Sequence, residues 1–392
     1  MAKMKNWFWG LLPLVLLALL LGVFLTYGPL GLFQSSFAPV EELTIDRAVL
    51  PRPHLIILEI TNGGPSAVTV SQVMVDDAIW KFSIDPSSKT IPRLGRSRIT
   101  IPYPWVEGSQ HEVTLLTSTG LTFTHEIPIA TTSPQMDFTF ISTFALLGVY
   151  AGLLPVLLGL LFYPFLKELP RGWLNFFLSL TVGLLAFLAL DTLEEAIETA
   201  QKVATAFQGI AIVGCGVALA LISLSYLSHK KPIRSDKSSP EGRYWISFLI
   251  AVGIGLHNLG EGLAIGSAYA IGEIALGAFL VVGFTLHNLT EGLGIVAPIA
   301  RNRASLQRLL LLGSIAGLPT VFGALIGGFT YNPVWITFFF AIGAGAILGV
   351  IYEVAQLVLD QEKSRHWANS YNVVGFLMGL AIMYVTGLLV IA

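Results

Sequence analysis

Long apolar runs alternate with short polar breaks over most of this chain. Runs near 6–28, 138–166, 172–199, 203–228, 244–270, 273–300, 307–330, 334–359 and 371–391 each approach or exceed the length a helix needs to cross a bilayer. Between the first and second runs, from 41 to 132, the period changes to two. Segments such as 54–60, 67–75, 98–103 and 121–127 alternate apolar and polar positions, separated by turn clusters such as Asn62-Gly63-Gly64-Pro65. Short strands at that spacing predict a small antiparallel β-sandwich. The expected fold class is a polytopic all-α membrane protein, with an eight-helix core and one N-terminal anchor helix, carrying a small all-β sandwich domain. The boundaries fall at 1–40 for the anchor, 41–135 for the β domain and 136–392 for the helical domain.

Composition agrees with that reading. Only 12% of residues are charged against 54% hydrophobic, and the formal net charge of −2 argues against a nucleic-acid partner. Cys215 is alone in an apolar run, which excludes a disulfide framework and a cysteine metal site. The apolar run 7–33 exceeds the h-region of a signal peptide, which favours an uncleaved anchor over cleavage after Ser36-Phe37-Ala38. Gly323 and Gly327 have the small-xxx-small spacing of close helix packing in lipid.

Charge in the short loops sets the orientation. With a cytoplasmic N-terminus, one side gathers Lys167, Arg171, Lys230, Lys231, Arg234, Lys237, Arg243, Arg301, Arg303, Arg308, Lys363 and Arg365. The short loops opposite hold only Lys202. Basic residues mark the cytoplasmic side, so the β domain and the C-terminus are expected outside a cell (plasma or inner) membrane. The polar stretch 229–242 reads as a cytoplasmic connection between two bundles of helices.

The chemistry sits where one pattern is written twice. LHNLGEGLAIG (256–266) and LHNLTEGLGIV (286–296) place His, Asn and Glu in the middle of apolar runs. Ionisable groups in a bilayer are costly and rare, and a duplicated set points to function rather than to interhelical polar glue. His257 and Glu261, like His287 and Glu291, are four apart and share a helix face. A very short connection at 270–273 makes the two helices antiparallel neighbours, so the four side chains can converge at the midplane. Two imidazoles and two carboxylates suit a divalent first-row metal such as zinc, iron, manganese or cobalt. Asn258 and Asn288 point about 100° away from each His, toward a weaker second site or toward supporting hydrogen bonds. Gly262 and Gly292 are expected to loosen the backbone and free carbonyls. Asp191 and Glu195, on one face of the run 172–199, could draw in a cation, whereas Glu198 reads as a solvated helix end. His54, His111 and His125 lack ligand spacing and read as surface or half-buried residues.

The duplicated motif resembles the fourth and fifth core helices of the ZIP (Zrt-, Irt-like protein) family of divalent metal transporters, in the prokaryotic branch whose helices read HNxPEG. The resemblance extends from Asp137 to the C-terminus. DTLEEA (191–196) resembles the family's HLLPEA, GLPTVFGALIGG (317–328) its GLxEPLGAxxG, and AIGAGAILGVIYEV (341–354) its seventh helix. It implies that His257, Glu261, His287 and Glu291 are transport-site ligands, that Glu291 bridges to a second metal, and that Glu353 is a further cation contact toward the cytoplasm. It also implies a homodimer. The family proline is Gly260 in one copy and Thr290 in the other, and a second-site glutamate falls on Thr320. Those departures predict one strong metal site and a second that is weak or absent.

The expected function is transport of divalent metal, zinc foremost, into the cytoplasm, with the metal as substrate and no organic cofactor. No catalytic residues are assigned and the chain is not expected to be an enzyme. The alternatives are an intramembrane metallo-hydrolase, disfavoured by the lack of a His-Glu-x-x-His motif, and a metal-sensing receptor working through its β domain.

Overall fold

The computed structural model describes residues 2–27, 40–133, 137–230, 239–270, 274–329, 332–361 and 369–391. It divides into two compact units, Met1–Val40 and Glu41–Ala392. The first contains α1 (Ala2–Tyr27), whose residues from Leu11 to Val23 are almost all exposed apolar side chains. Such a helix has no polar face to turn to water, and suits lipid on every side.

In the second unit, alternation produces strands as expected. β1 (Leu43–Arg52), β2 (Leu55–Asn62), β3 (Val68–Val75), β4 (Ala78–Trp80), β5 (Ser83–Asp85), β6 (Thr90–Ile91), β7 (Arg96–Ile101), β8 (His111–Thr117) and β9 (Thr122–Ile127) are all paired antiparallel. They form one sheet in the order β1-β2-β7-β5 and another in the order β4-β3-β8-β9, with β6 on β3. Ile56, Leu58, Ile60, Ile99, Ile101, Val113 and Leu115 fill the core between them. Strand β3 reads VTVSQVMV, with Val68 and Val70 inward and then Val73 and Val75 inward. The phase changes because the pairing with β8 slips between Val70 and Gln72, a bulge that turns the second half of the strand back to the core.

The β3–β4 hairpin turns on Asp76 and Asp77, both with positive φ (50° and 63°), as a two-residue turn matched to strand twist requires. Asp76 then organises its surroundings. Its carboxylate accepts from the Glu112 N–H at 2.9 Å and the Tyr103 hydroxyl at 2.7 Å, and lies 2.7 Å from His111 Nδ1. His111 is therefore buried, against the expectation of a surface or half-buried residue, while His54 is exposed and His125 half-buried. Desolvation alone would raise the Asp76 carboxyl. The Glu112 N–H, Tyr103 and His111 together outweigh it and hold the group below its ordinary 3.8. Burial and the Asp76 charge push Tyr103 up to about 12.

The helical part starts with an irregular span: α2 (Phe138–Gly148), a π-helical turn (Val149–Leu153), α3 (Leu154–Leu160) and α4 (Tyr163–Lys167). Then come α5 (Arg171–Gln201), a 3₁₀ turn (Thr205–Phe207), α6 (Gly209–Lys230), α7 (Pro240–Ala270), α8 (Ile274–Val296), α9 (Leu306–Phe329), α10 (Pro333–Gln361) and α11 (Ser370–Ile391). Every apolar run forms helix. Among the described residues seven helices are long and apolar enough to cross a membrane, and Leu11–Val23 and Leu280–Val296 are shorter apolar helices. The chain is a multi-pass membrane protein. The breaks at 231–238 and 271–273 lie outside the described residues.

The helices pack in two groups. The first span, α7, α8 and α9 pack on one another, as do α5, α6, α10 and α11, and the groups meet where α10 lies on α7 and α11 on α8. Glycines set the closest approach in the first group. A Cβ on Gly262 would lie 2.9 Å from Gly323 Cα, one on Gly327 would lie 2.9 Å from Leu263 Cα, and one on Gly292 would lie 2.7 Å from Gly159 Cα. Gly262 and Gly292 therefore serve backbone contact. Both helices run unbroken through them, so the expected loosening does not occur.

The β domain sits on the ends of both groups. Glu42 accepts from the Thr205 N–H at 3.0 Å and from the Thr205 hydroxyl, between α5 and α6. Arg47 Nη1 reaches the Phe329 carbonyl at the end of α9, at 3.4 Å.

Replacing Gly262 with Leu is expected to destabilise the chain by roughly 3 kcal/mol or more, because backbone rather than a flexible side chain must give way. Melting in detergent tests this against Gly214→Ala, where an added Cβ meets nothing within 4 Å. In the β domain, Asp76 contributes stability at neutral pH that is lost as pH falls through its depressed value, below 3.8. Acid titration of the near-ultraviolet circular dichroism should show that loss in the wild type and a shallower one in Asp76→Asn.

Candidate metal centre

Four polar positions, two on each of two helices, decide the site's geometry. On α7, His257 and Glu261 are one turn apart, with His257 Nε2 3.0 Å from Glu261 Oε1. On α8, His287 reaches the same oxygen through its own Nε2. His257, Asn258, Glu261, His287, Asn288 and Glu291 are all buried, none more than 5% exposed. His257, His287 and Glu291 each offer a ligand atom, and these atoms lie within 4.8 Å of one another. The imidazole centroids are 6.2 Å apart.

The asparagines cross-connect the two copies. Asn288 Nδ2 donates to Glu261 Oε2 at 2.9 Å, and Asn258 Nδ2 donates to Glu291 Oε2 at 3.2 Å. Each amide thus holds the carboxylate of the other helix. Each also donates to a backbone carbonyl: Asn288 to Ala151 O at 2.9 Å, and Asn258 to Ala316 O at 3.1 Å. Helix irregularity makes the first of those carbonyls accessible. Pro155 has no N–H to bond Ala151 O, and the π-helical turn lies over the same residues. Pro319, inside α9, leaves the neighbouring Ile315 O without its helical donor, next to the Ala316 carbonyl that Asn258 reaches.

Three acceptors in the cluster have no hydrogen-bond partner among the described residues: Glu291 Oε1, Asn258 Oδ1 and Asn288 Oδ1. Buried acceptors are normally satisfied, and a cation among them would supply what no donor does. The set of imidazole nitrogen with carboxylate and amide oxygen suits a divalent transition metal, held less tightly than by thiolates.

Other expected residues fall into separate places. Asp191 and Glu195, with Glu194 and Glu198, line a cavity of about 390 Å³ that also touches His287, Phe284, Met383 and Tyr384. The carboxylates of α5 and the metal cluster thus share one opening, and Glu198, read from sequence as a solvated end, faces it too. Glu353 is not at this opening. It lines a different cavity with Leu221, Ser225 and Leu249, between α6, α7 and α10. Thr320 is fully buried beside Gly152, with its hydroxyl unpartnered among the described residues. Sequence reasoning missed Thr192, whose hydroxyl is 2.7 Å from His257 Nδ1. Its signal was present, one residue after Asp191 and four before Ala196, inside the segment already singled out for its charges.

The fold and site define a class: a polytopic helical membrane protein with a buried His/Glu cluster at the seam of two helix groups. Residues 223–387 match the family model described as ZIP Zinc transporter. That match runs from the later part of α6 into α11. The chain is 32% identical over 173 residues to "Zinc transporter ZIPB" of Bordetella bronchiseptica (strain ATCC BAA-588 / NCTC 13252 / RB50), a match covering 42% of this chain and 53% of that protein. The chain therefore spans about half the length of the curated relative it matches.

Asn288→Ala is expected to weaken metal binding about 10-fold or more, because Glu261 loses its cross-helix donor and turns more freely. Isothermal titration of the purified protein with zinc checks this.

Proposed function

We propose that the chain transports divalent transition metal, zinc foremost and also iron, manganese, cobalt or cadmium, into the cytoplasm through the His257/Glu261/His287/Glu291 site. The observation that carries this is the buried convergence of His257, His287 and Glu291 ligand atoms within 4.8 Å, inside a helical unit in which, among the described residues, several helices are long and apolar enough to cross a membrane. The ZIPB match supports zinc as the first metal to test. In this reading the domains run 1–40, 41–135 and 136–392, and the protein sits in a cell membrane with the β domain and C-terminus outside. Metal enters past Glu198, Glu195 and Asp191, reaches the His/Glu cluster, and leaves toward the basic loops, with Glu353 a later contact.

Alternating exposure comes from one helix group moving against the other about the midplane site. A dication moving inward gains roughly 4–5 kcal/mol per 100 mV, negative inside, so gradients and membrane potential supply the drive. Thr320 leaves the second position with Asn258, Asn288 and Glu291 alone. One strong metal site is therefore proposed, and the resemblance extends the proposal to a homodimer. The chain acts as a transporter and not as an enzyme.

Metal flux into proteoliposomes tests the reading. Wild type should pass zinc down an inward gradient, and His257→Ala and Glu291→Ala should each reduce that flux to background. Wild-type protein that binds zinc and passes none would turn the reading toward a metal-sensing receptor or an intramembrane hydrolase.

A further inference from the structure

Two hydrogen bonds meet at one buried oxygen. Thr192 Oγ1, on α5, lies 2.7 Å from Leu188 O one turn back and 2.7 Å from His257 Nδ1 on α7. A threonine hydroxyl has one proton, and a carbonyl has none to give, so that proton goes to Leu188 O. His257 Nδ1 must then carry its own proton and donate to Thr192. The arrangement assigns the other ring nitrogen, Nε2, to the cluster, where it faces Glu261 at 3.0 Å. His287 has no such arrangement: among the described residues its hydrogen bonding runs through Nε2 alone. The two histidines of the repeated motif are therefore not equivalent.

The position of Thr192 adds a second consequence. Its helix α5 packs with α6, α10 and α11, whereas His257 stands on α7, which packs with α8 and α9. The hydrogen bond crosses the seam along which the two groups meet. Outer-shell acceptors orient a ligating imidazole and raise its basicity, and their loss costs metal affinity.

We propose that Thr192 is a positioning residue for the zinc ligand His257, and that it holds that ligand only while the helix groups are arranged as they are here. The inference rests on the metal-transport reading and deepens it. When the groups move, Nδ1–H leaves Thr192, the imidazole loses its fixed orientation, and the site weakens as it turns to release metal. Thr192 does not touch the metal in this scheme. It acts through His257, and its hydroxyl rather than its methyl is the working part.

The experiment compares the full-length wild type with Thr192→Val, which keeps the volume and loses the hydroxyl, and Thr192→Ser, which keeps the hydroxyl. Zinc Kd is read by competition with a fluorescent chelator, ligand geometry from the visible absorption of cobalt(II), and KM and kcat from zinc flux in proteoliposomes. Thr192→Val should bind zinc about 10–100-fold more weakly, with a shifted cobalt band. Its KM should rise while kcat stays near that of the wild type. Thr192→Ser should restore all of these. Wild-type affinity and cobalt spectrum in Thr192→Val would overturn the proposal, as would a serine variant as weak as the valine one, which would mark a packing role. If the wild type binds zinc and passes none, the transport reading fails and with it the state dependence, while Kd and the cobalt spectrum still decide whether Thr192 positions His257.

Discussion

The structure depends on keeping carboxylates where there is no water to hold them. An uncompensated carboxylate in a low-dielectric interior costs several kcal/mol, and a carboxylate survives there only with its oxygens committed to partners. Glu261 meets that condition with three atoms drawn from two helices: His257 and His287 at one oxygen, and Asn288 at the other. His257 is one turn away on the same helix, but His287 and Asn288 can be reached only if α7 and α8 run side by side at one depth. The duplicated motif is thus a constraint on packing as much as a set of ligands.

That constraint propagates outward through backbone. Asn258 and Asn288 each need a second acceptor for the amide, and they find it on carbonyls of α9 and of the first span. Those helices have to come close, and the glycines at 262, 292, 323 and 159 remove the side chains that would hold them apart. They also have to offer a carbonyl: Pro155 leaves Ala151 O without its helical donor, and Pro319 loosens the ladder at Ile315, beside Ala316. Motif, glycine contacts and prolines are consequently one device spread over four helices.

Much of this was legible in sequence, for reasons specific to particular residues. Helix over each apolar run followed from run length, and the β domain from alternation in stretches such as 54–60 and 67–75. Convergence of the two motifs followed from i, i+4 spacing and a short connection. What was not legible depends on angles between elements. Gly262 and Gly292 read as points of loosening because sequence does not say that Gly323 and Gly159 stand opposite them. His111 read as surface or half-buried because its partner, Asp76, is 35 residues away, beyond a hairpin. Thr192 was hidden for a related reason: a threonine in an apolar helix is ordinary until the helix facing it is known to present an imidazole nitrogen.

The β domain gives the same lesson at larger scale. Two polar ties seen among the described residues run to different groups: Glu42 to Thr205 between α5 and α6, Arg47 to the end of α9. The charges suit the ends they meet, an acid on free N–H groups and a base on free carbonyls. Glu42 makes two bonds, one of them to a backbone amide, whereas Arg47 makes a single long one while paired with Glu59 at 3.0 Å. The domain is thus fastened firmly to one group and lightly to the other. Any displacement of the groups past each other has to strain or release one of these ties, and the contact on α9 is the one that yields at least cost.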